Sequence, residues 1–351
     1  MPKIDDLFYQ LIECNGSDLH LAQGSKPKIR INGKLTELDD HPVLTRDYIS
    51  EILIEIAGSE LWQRFQDLGD IDFAYELDNG SRFRSNYLRH FYGFGAVFRL
   101  IPSEIMTFEE LQLPLVCKSL CELQSGLVLV TGPTGSGKST TLAAIIDYIN
   151  SEFVKKIITI EEPIEFLHHN KKCVIVHREV GSDTVSFSQG LRSALKSDAN
   201  IILVGEMRDR ETIELALTAA EMGILVFGTL HTNSAAKTID RIVDTFPGAK
   251  KDHIREILAN SLQSVVAQQL VPSADGLRRW AAFEILLRTT ALPAIIRAGD
   301  TKLLKGEINT HSKIGMLSMD YSLLKLFQEG KITKEDAYLK ALDKSLFRDL
   351  S

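Results

Sequence analysis

Apolar runs of strand length alternate with longer helical stretches through the middle of the chain. Such alternation predicts a mainly parallel sheet with helices on its faces. From about residue 250 onward the pattern predicts helices, including a capping box at Thr333 and Asp336 that follows the helix-ending Gly330. The runs predicted as strands are residues 127–130, 157–160, 174–176, 201–204 and 225–230.

The first hundred residues carry the pattern of a small mixed domain with short strands and turns. Its opening residues, 4–12, predict an amphipathic helix. Turns are predicted at Asn32-Gly33 and Asn79-Gly80, because these pairs favour tight reversals of the chain. Residues 82–86 and 95–100 are predicted to form a late pair of strands.

The length of 351 residues exceeds the usual size of a single hydrophobic core, so we expect two domains. Pro102 and Pro114 interrupt the pattern between the two regions. We predict a first domain over residues 1–100, a connection over 101–120 and an α/β domain over 121–351.

Composition is that of an ordinary folded protein, since 44% of the residues are hydrophobic and 25% are charged. The apolar runs are far shorter than the roughly 20 residues that span a bilayer. Asp5 and Asp6 stand where a signal peptide needs a basic start, so we predict a cytoplasmic protein. The net charge of −7 argues against a stable nucleic-acid partner. Cys117 and Cys121 could share a helical face, but no second pair of ligands lies near them to complete a zinc site.

A complete phosphate-binding loop directly follows the predicted strand at residues 127–130. Its glycines allow the backbone N–H groups to point at phosphate oxygens, and the helix that follows adds its positive end. Lys138 is predicted to reach the β- and γ-phosphates and Ser139 to bind Mg²⁺. The residues predicted to bind ATP or ADP are Gly132, Pro133, Thr134, Gly135, Ser136, Gly137, Lys138, Ser139 and Thr140.

Carboxylates follow two other predicted strands. Glu206 comes just after the strand at residues 201–204, where phosphate-loop enzymes place an acid that binds Mg²⁺ and orients water. Glu161, Glu162 and Glu165 follow the strand at 157–160, at the edge where parallel sheets bind ligands. The alternatives are that Glu206 only caps the next segment and that the other three acids are solvated surface charge.

Four boxes occur in a fixed order: a phosphate loop, an acidic box, a second Walker element and a histidine box. The chain resembles the secretion-ATPase (GspE/PilT) family over nearly its whole length, and the pilus-retraction branch most closely. The resemblance implies an α/β fold class in which a PAS-like α+β N-terminal domain precedes a RecA-like P-loop ATPase domain with a helical C-terminal extension. It also implies a homohexameric ring. The boxes occupy residues 132–140, 159–166, 198–209 and 228–234, and the motif at residues 16–21 adds to the likeness.

The same resemblance implies roles for individual side chains. The two acids Glu165 and Glu206 would act on the attacking water and Mg²⁺, with Glu162 nearby. His231 would sense or couple the nucleotide state. Arg84 and Arg99 of the first domain would reach the phosphates, the alternative being that they are surface strand residues without such a role.

The predicted function is therefore an Mg-ATP-hydrolysing motor for type IV pilus retraction, located in the cytoplasm at the inner-membrane base of the pilus and associated with the membrane only through a platform protein. An assembly or type II secretion ATPase, a RecA-like DNA translocase and a non-hydrolysing nucleotide-gated scaffold remain open alternatives. The chain departs from the family at Ile224, where a histidine is common, and at Pro293 and Ala298, where the retraction signature has charged residues.

Overall fold

The computed structural model describes residues 2–31, 33–101 and 104–348. Asn32 of the first predicted turn and Pro102 of the predicted connection lie outside these residues. The chain divides into two compact units. The N-terminal unit comprises Met1–Glu104 with Pro163–Phe166, and the second unit comprises Ile105–Glu162 with Leu167–Ser351. In the described residues, no helix has the length and apolar character needed to cross a membrane.

The N-terminal unit contains a six-stranded sheet in the order β3-β2-β1-β6-β5-β4, in which each neighbouring pair is antiparallel. The predicted opening helix, the late strand pair and the turn at Asn79-Gly80 are confirmed, and Gly80 has the left-handed φ of 84° that this turn needs. The elements are α1 (Asp5–Glu13), β1 (Asp18–Ala22), β2 (Lys28–Ile31), β3 (Lys34–Glu37), α2 (Arg46–Leu68), β4 (Asp70–Glu76), β5 (Arg82–His90) and β6 (Gly93–Ile101).

Aromatic side chains form the core of this unit. Phe8, on the apolar face of α1, stacks on Phe83 of β5 with 4.2 Å between ring centroids and meets Phe98 of β6 edge-on at 5.0 Å. Tyr87 is fully buried and donates its hydroxyl hydrogen to the carbonyl of Leu53 in α2. These contacts attach both helices to the sheet, because buried aromatic pairs add to the free energy gained by burial alone.

The second unit contains a seven-stranded sheet in the order β13-β12-β7-β11-β10-β8-β9. All five strands predicted for this part of the chain are present and lie parallel to their neighbours. The elements as far as residue 261 are α3 (Val116–Cys121), β7 (Gly126–Thr131), α4 (Lys138–Glu152), β8 (Lys156–Glu161), β9 (Val174–Glu179), α5 (Phe187–Ala194), β10 (Ile201–Val204), α6 (Arg210–Glu221), β11 (Leu225–Leu230), α7 (Ala235–Asp244) and α8 (Gly248–Ser261).

The expectation of helices throughout the region beyond residue 250 is wrong in one stretch. Two long strands, β12 (Leu262–Pro272) and β13 (Arg279–Leu287), extend the sheet, with β12 parallel to β7 and β13 antiparallel to β12. A buried run that contains glutamines does not show the alternation of a half-buried strand, so its pattern does not distinguish strand from helix. In the described residues after β13, the α-helices are α9 (Leu292–Ala298), α10 (Leu304–Thr310), α11 (Met319–Gln328) and α12 (Lys334–Lys340).

The predicted capping box at the start of α12 is confirmed. Thr333 accepts a hydrogen bond from the backbone N–H of Asp336 at 3.1 Å and donates its hydroxyl hydrogen to the Asp336 carboxylate at 2.7 Å. Gly330 adopts a left-handed φ of 67° just beyond α11, as a helix-ending glycine does.

Candidate nucleotide-binding site

Four neighbouring parallel strands bring the four boxes to one edge of the sheet. In the order β7-β11-β10-β8, the strands end at the phosphate loop, at His231, at Glu206 and at the acidic box. The carboxyl edge of a parallel sheet is where such folds bind ligands. Residues up to 100 positions apart along the chain are therefore presented on adjacent strands of one edge.

The phosphate loop lies between β7 and α4 and depends on glycine at two positions. Gly132 has a φ of 151°, and a Cβ built there would lie 2.3 Å from the carbonyl oxygen of Gln268. Gly137, with a φ of 85°, immediately precedes α4, and its Cβ would lie 2.9 Å from the Gln268 side chain. Because the backbone φ is positive and a Cβ would approach Gln268 closely, both positions require glycine.

The loop has the donors that a polyphosphate needs. Lys138 donates through Nζ to the carbonyls of Gly132 at 2.9 Å and Pro133 at 3.1 Å, so its ammonium group lies over the loop. The hydroxyl of Ser136 is buried and has no hydrogen-bond partner among the described residues. The first turn of α4 adds backbone N–H groups and the positive end of the helix dipole. The Ser139 hydroxyl and the Glu206 carboxylate are hard oxygen donors of the kind that Mg²⁺ prefers.

Glu206 is held by two cationic or polar neighbours. Its Oε1 accepts hydrogen bonds from Nε of Arg208 at 2.7 Å and from Nε2 of His231 at 2.9 Å. Burial opposes ionisation of Glu206, but the hydrogen bond and charge of Arg208, together with His231, hold its pKa below its usual value. Nη1 of Arg208 also lies 3.7 Å from Oε2 of Glu162. Glu206 is therefore an anion at neutral pH, as a ligand of Mg²⁺ must be.

The capping alternative for Glu206 fails. The residue that caps α6 is Asp209, whose carboxylate accepts from the backbone N–H of Thr212 at 2.9 Å and from its hydroxyl at 2.6 Å. Glu206 lies three residues earlier and points its carboxylate to Arg208 and His231 instead. Its contacts are with neighbouring side chains and not with the N–H groups of a helix terminus, and its role on Mg²⁺ and water stays a prediction.

The acidic box is divided between the two units. Glu162 is exposed and belongs to the second unit, where it lies near Arg208. Glu165 is also exposed but lies in Pro163–Phe166, which groups by its contacts with the N-terminal unit. The structure thus brings Glu162, Glu206 and His231 together, while the catalytic role of Glu165 stays a prediction.

Arg84 and Arg99 lie directly opposite each other on β5 and β6 of the N-terminal unit. Arg99 donates through Nε to Oδ1 of Asp18 at 2.8 Å, whereas Nε of Arg84 lies 3.9 Å from Oδ1 of Asp72. Both guanidinium groups are substantially exposed. Their role on phosphates stays a prediction.

Arg208 and Gln268 also contact the site, although neither is predicted from the sequence. Arg208 follows Glu206 by two positions, a spacing that places both side chains on one side of an extended segment. This spacing in the sequence could have predicted their contact. Gln268 is buried beneath the phosphate loop and accepts a hydrogen bond from the Thr141 hydroxyl at 2.8 Å. It lies on β12, which the sequence pattern did not reveal, so no local signal could have identified it.

Comparison with known proteins shows which family the chain is similar to. The family profile described as Type II/IV secretion system protein matches residues 1–296. The chain belongs to this family. Among its relatives, the type IV pilus "retractation" ATPase PilT of Pseudomonas aeruginosa is 48% identical over 325 residues, which cover 93% of this chain and 94% of the relative. A twitching motility protein of Neisseria gonorrhoeae is 45% identical, covering 90% and 84% of the two chains.

A solved structure of a family member, described as the pilus retraction motor PilT with bound ADP, superposes with a TM-score of 0.90 at 42% identity. The superposition covers 98% of this chain and 98% of the solved one. The family resemblance drawn from the four boxes and the predicted fold class, a PAS-like domain followed by a RecA-like ATPase domain, are confirmed. As a member of the family with an intact phosphate loop, this chain is a nucleotide-binding protein.

Proposed function

We propose that this chain is an ATPase that powers the retraction of type IV pili. The observation that carries the proposal is an intact phosphate loop with an ionised Glu206 two strands away on the same sheet edge, held by His231 and Arg208. The near full-length similarity to a pilus retraction ATPase and to a twitching motility protein supports the type IV pilus as the machine on which the ATPase acts.

Hydrolysis at this site would rest mainly on positioning and charge, because phosphoryl transfer needs little covalent help from a protein. The backbone N–H groups of the loop and Lys138 bind the phosphates, and Ser139 and Glu206 would hold Mg²⁺. The metal would supply charge neutralisation on the phosphate oxygens. Glu206 also orients water towards the γ-phosphorus, and the bond from phosphorus to the bridging oxygen of ADP breaks as the new one forms.

The other predicted residues have supporting roles in this proposal. His231 contacts Glu206 directly and so couples the carboxylate to the end of β11. Glu165 is assigned to the attacking water, and Arg84 and Arg99 to the phosphate charge, as the family resemblance implies. Cations supplied in this way contribute about 10³ to 10⁵ in rate in well-studied phosphoryl transfers.

The proposed working form is a homohexamer at the cytoplasmic face of the inner membrane, bound to a pilus platform protein. Membrane association through this partner alone fits a chain whose described helices are too short or too polar to cross a bilayer. The net charge of −7 favours a protein partner over a stable nucleic-acid partner.

One experiment tests the activity and its direction together. The gene is deleted, and the deletion strain is complemented with the wild type, with Lys138→Ala or with the surface control Lys250→Ala. Surface pili are counted on each strain. Phosphate release is measured with each purified protein. We expect Lys138→Ala to lose about 10²-fold or more in turnover, as when a key charge-stabilising donor is removed, while Lys250→Ala keeps its activity. The deletion strain and the Lys138→Ala strain should both carry excess pili.

Two results would contradict the proposal in different ways. If the wild type releases no more phosphate than Lys138→Ala, the chain is not a hydrolysing motor. If phosphate is released but the deletion strain carries no pili, the motor extends pili, as an assembly ATPase does.

A further inference from the structure

Four charged side chains form a row across the sheet of the N-terminal unit. On the neighbouring strands β2, β1, β6 and β5, Arg30 is the register partner of Asp18, Asp18 of Arg99, and Arg99 of Arg84. Register partners in an antiparallel pair project their side chains on the same face of the sheet. The row therefore combines three guanidinium groups with a single carboxylate.

Asp18 is the buried centre of this row. Only 6% of its side chain is exposed. Its Oδ1 accepts from Nε of Arg99 at 2.8 Å, and its Oδ2 accepts from the Ser17 hydroxyl at 2.7 Å and lies 3.6 Å from Nε of Arg30. Burial opposes ionisation of Asp18, but the hydrogen bonds from Ser17 and Arg99 hold its pKa below its usual value. The carboxylate is thus a fixed anion with both oxygens engaged.

Arg84 and Arg99 lie directly opposite each other, a position in which like charges repel, and a carboxylate lies beside each of them, Asp72 beside Arg84 and Asp18 beside Arg99. Among the described residues the hydrogen bond to Asp18 engages Nε of Arg99, and neither terminal nitrogen of that guanidinium has a protein partner. These two nitrogens remain for an acceptor on a ligand, and paired guanidinium donors match phosphate oxygens well.

We propose that Asp18 is a positioning residue that fixes the guanidinium group of Arg99 for the role in hydrolysis proposed above. The inference rests on the proposed role of Arg99 in hydrolysis. Asp18 acts only through Arg99: by holding Nε it fixes the plane of the guanidinium, so that the terminal nitrogens keep one direction when nucleotide binds. A flexible, exposed arginine without this anchor would lose side-chain entropy on each encounter.

The test is a double-mutant cycle in steady-state ATP hydrolysis, with kcat and KM measured separately on the full chain. The proteins are the wild type, Asp18→Ala, Arg99→Ala and the double variant. We expect Asp18→Ala to lower kcat about tenfold in the wild-type background, the size of a lost charge-assisted hydrogen bond, and less than about twofold when Arg99 is already absent. Asp18→Asn retains an acceptor oxygen and should recover part of the loss.

The control is Glu37→Gln, which removes another cross-strand carboxylate of the same sheet, 3.3 Å from Lys28 and outside the arginine row. It should leave kcat and KM unchanged. If Asp18→Ala does not fold, as judged by its thermal unfolding, the cycle is run with Asp18→Asn instead.

The possible failures are separate. Equal losses from the Asp18 substitution in both backgrounds, or no loss in either, overturn the positioning role while leaving Arg99 in place. If Arg99→Ala itself keeps wild-type turnover, the proposed role of Arg99 is wrong and the positioning role fails with it. If the wild type shows no turnover above Lys138→Ala, the ATPase proposal is the part that fails.

Discussion

His168 should make the stability of the second unit depend on pH. The residue is 7% exposed, and its ring stacks on His177 with 5.8 Å between centroids and 9° between planes. The Nδ1 atom of His168 is buried and has no hydrogen-bond partner among the described residues. Besides His177, the charged groups that act on it are Asp147 and Lys171. Burial, reinforced by His177, lowers the pKa of His168 to about 4.

The size of the effect follows from linkage. Because the folded state disfavours the protonated ring, the stability associated with His168 is fully present above the unfolded pKa near 6.5 and is lost as the pH falls towards 4. With these two values, protonation of the unfolded chain lowers the free energy of unfolding by about 2 kcal/mol between about pH 7.5 and pH 5. His168→Gln replaces the ring with an amide that does not titrate, so this loss should disappear.

The assay is urea unfolding followed by tryptophan fluorescence at both pH values. A Trp62→Phe background leaves Trp280, which lies in the same unit as His168, as the reporter. The comparison between the two proteins measures the contribution of His168 together with its coupling to the stacked His177. If the wild type and His168→Gln lose the same free energy within about 0.5 kcal/mol, His168 is not held neutral by burial and the reasoning is refuted.

Two further predictions concern the phosphate loop and the cysteines. Gly132→Ala should abolish binding of a fluorescent ADP analogue, because a Cβ at residue 132 would collide with Gln268. Gly248→Ala is the control and should bind normally, because a Cβ at residue 248 meets open space. Binding of the analogue by Gly132→Ala would contradict this reasoning. In the native protein only the exposed Cys14 should react rapidly with a thiol reagent, since burial raises the pKa of Cys117 and Cys121 to about 12 and Cys173 is also buried. A second fast-reacting thiol would show that this core opens readily.

The features that the sequence predicted correctly are those specified by adjacent residues. The phosphate loop is contiguous, its strand and helix are its immediate neighbours, and the capping box of Thr333 and Asp336 spans four positions. Each strand that ends at a box is a compact apolar run. Because parallel strands share a carboxyl edge, the order of the boxes along the chain already implied one site.

Contacts between residues far apart in the sequence could not be predicted from the pattern of apolar and polar positions. Strand β12 is held in the sheet by β7, whose residues lie about 135 positions earlier, and its glutamines obscured the strand period. Gln268 could not be connected to Gly132 without that pairing. The contact between Asp18 and Arg99 likewise depends on the pairing of β1 with β6, which spans 81 positions.

The structure shows where the departures from the family at Ile224, Pro293 and Ala298 lie relative to the nucleotide-binding edge of the sheet. Ile224 precedes β11, whereas His231 follows it, so the length of a strand of about 3.3 Å per residue separates residue 224 from the carboxyl edge of its own sheet. Ile224 instead packs against the hydrophobic core of the second unit. Replacement of a histidine there leaves the contact between His231 and Glu206 intact.

Pro293 and Ala298 lie at the two ends of the short helix α9, which follows β13. Since β13 runs antiparallel to β12, its last residue, Leu287, pairs with Ser264 near the start of β12, at the amino edge of the sheet. The altered signature therefore begins from the edge opposite the phosphate loop. Pro293 and Ala298 therefore leave the phosphate loop, Glu206 and His231 undisturbed, because these three lie at the carboxyl edge of the sheet.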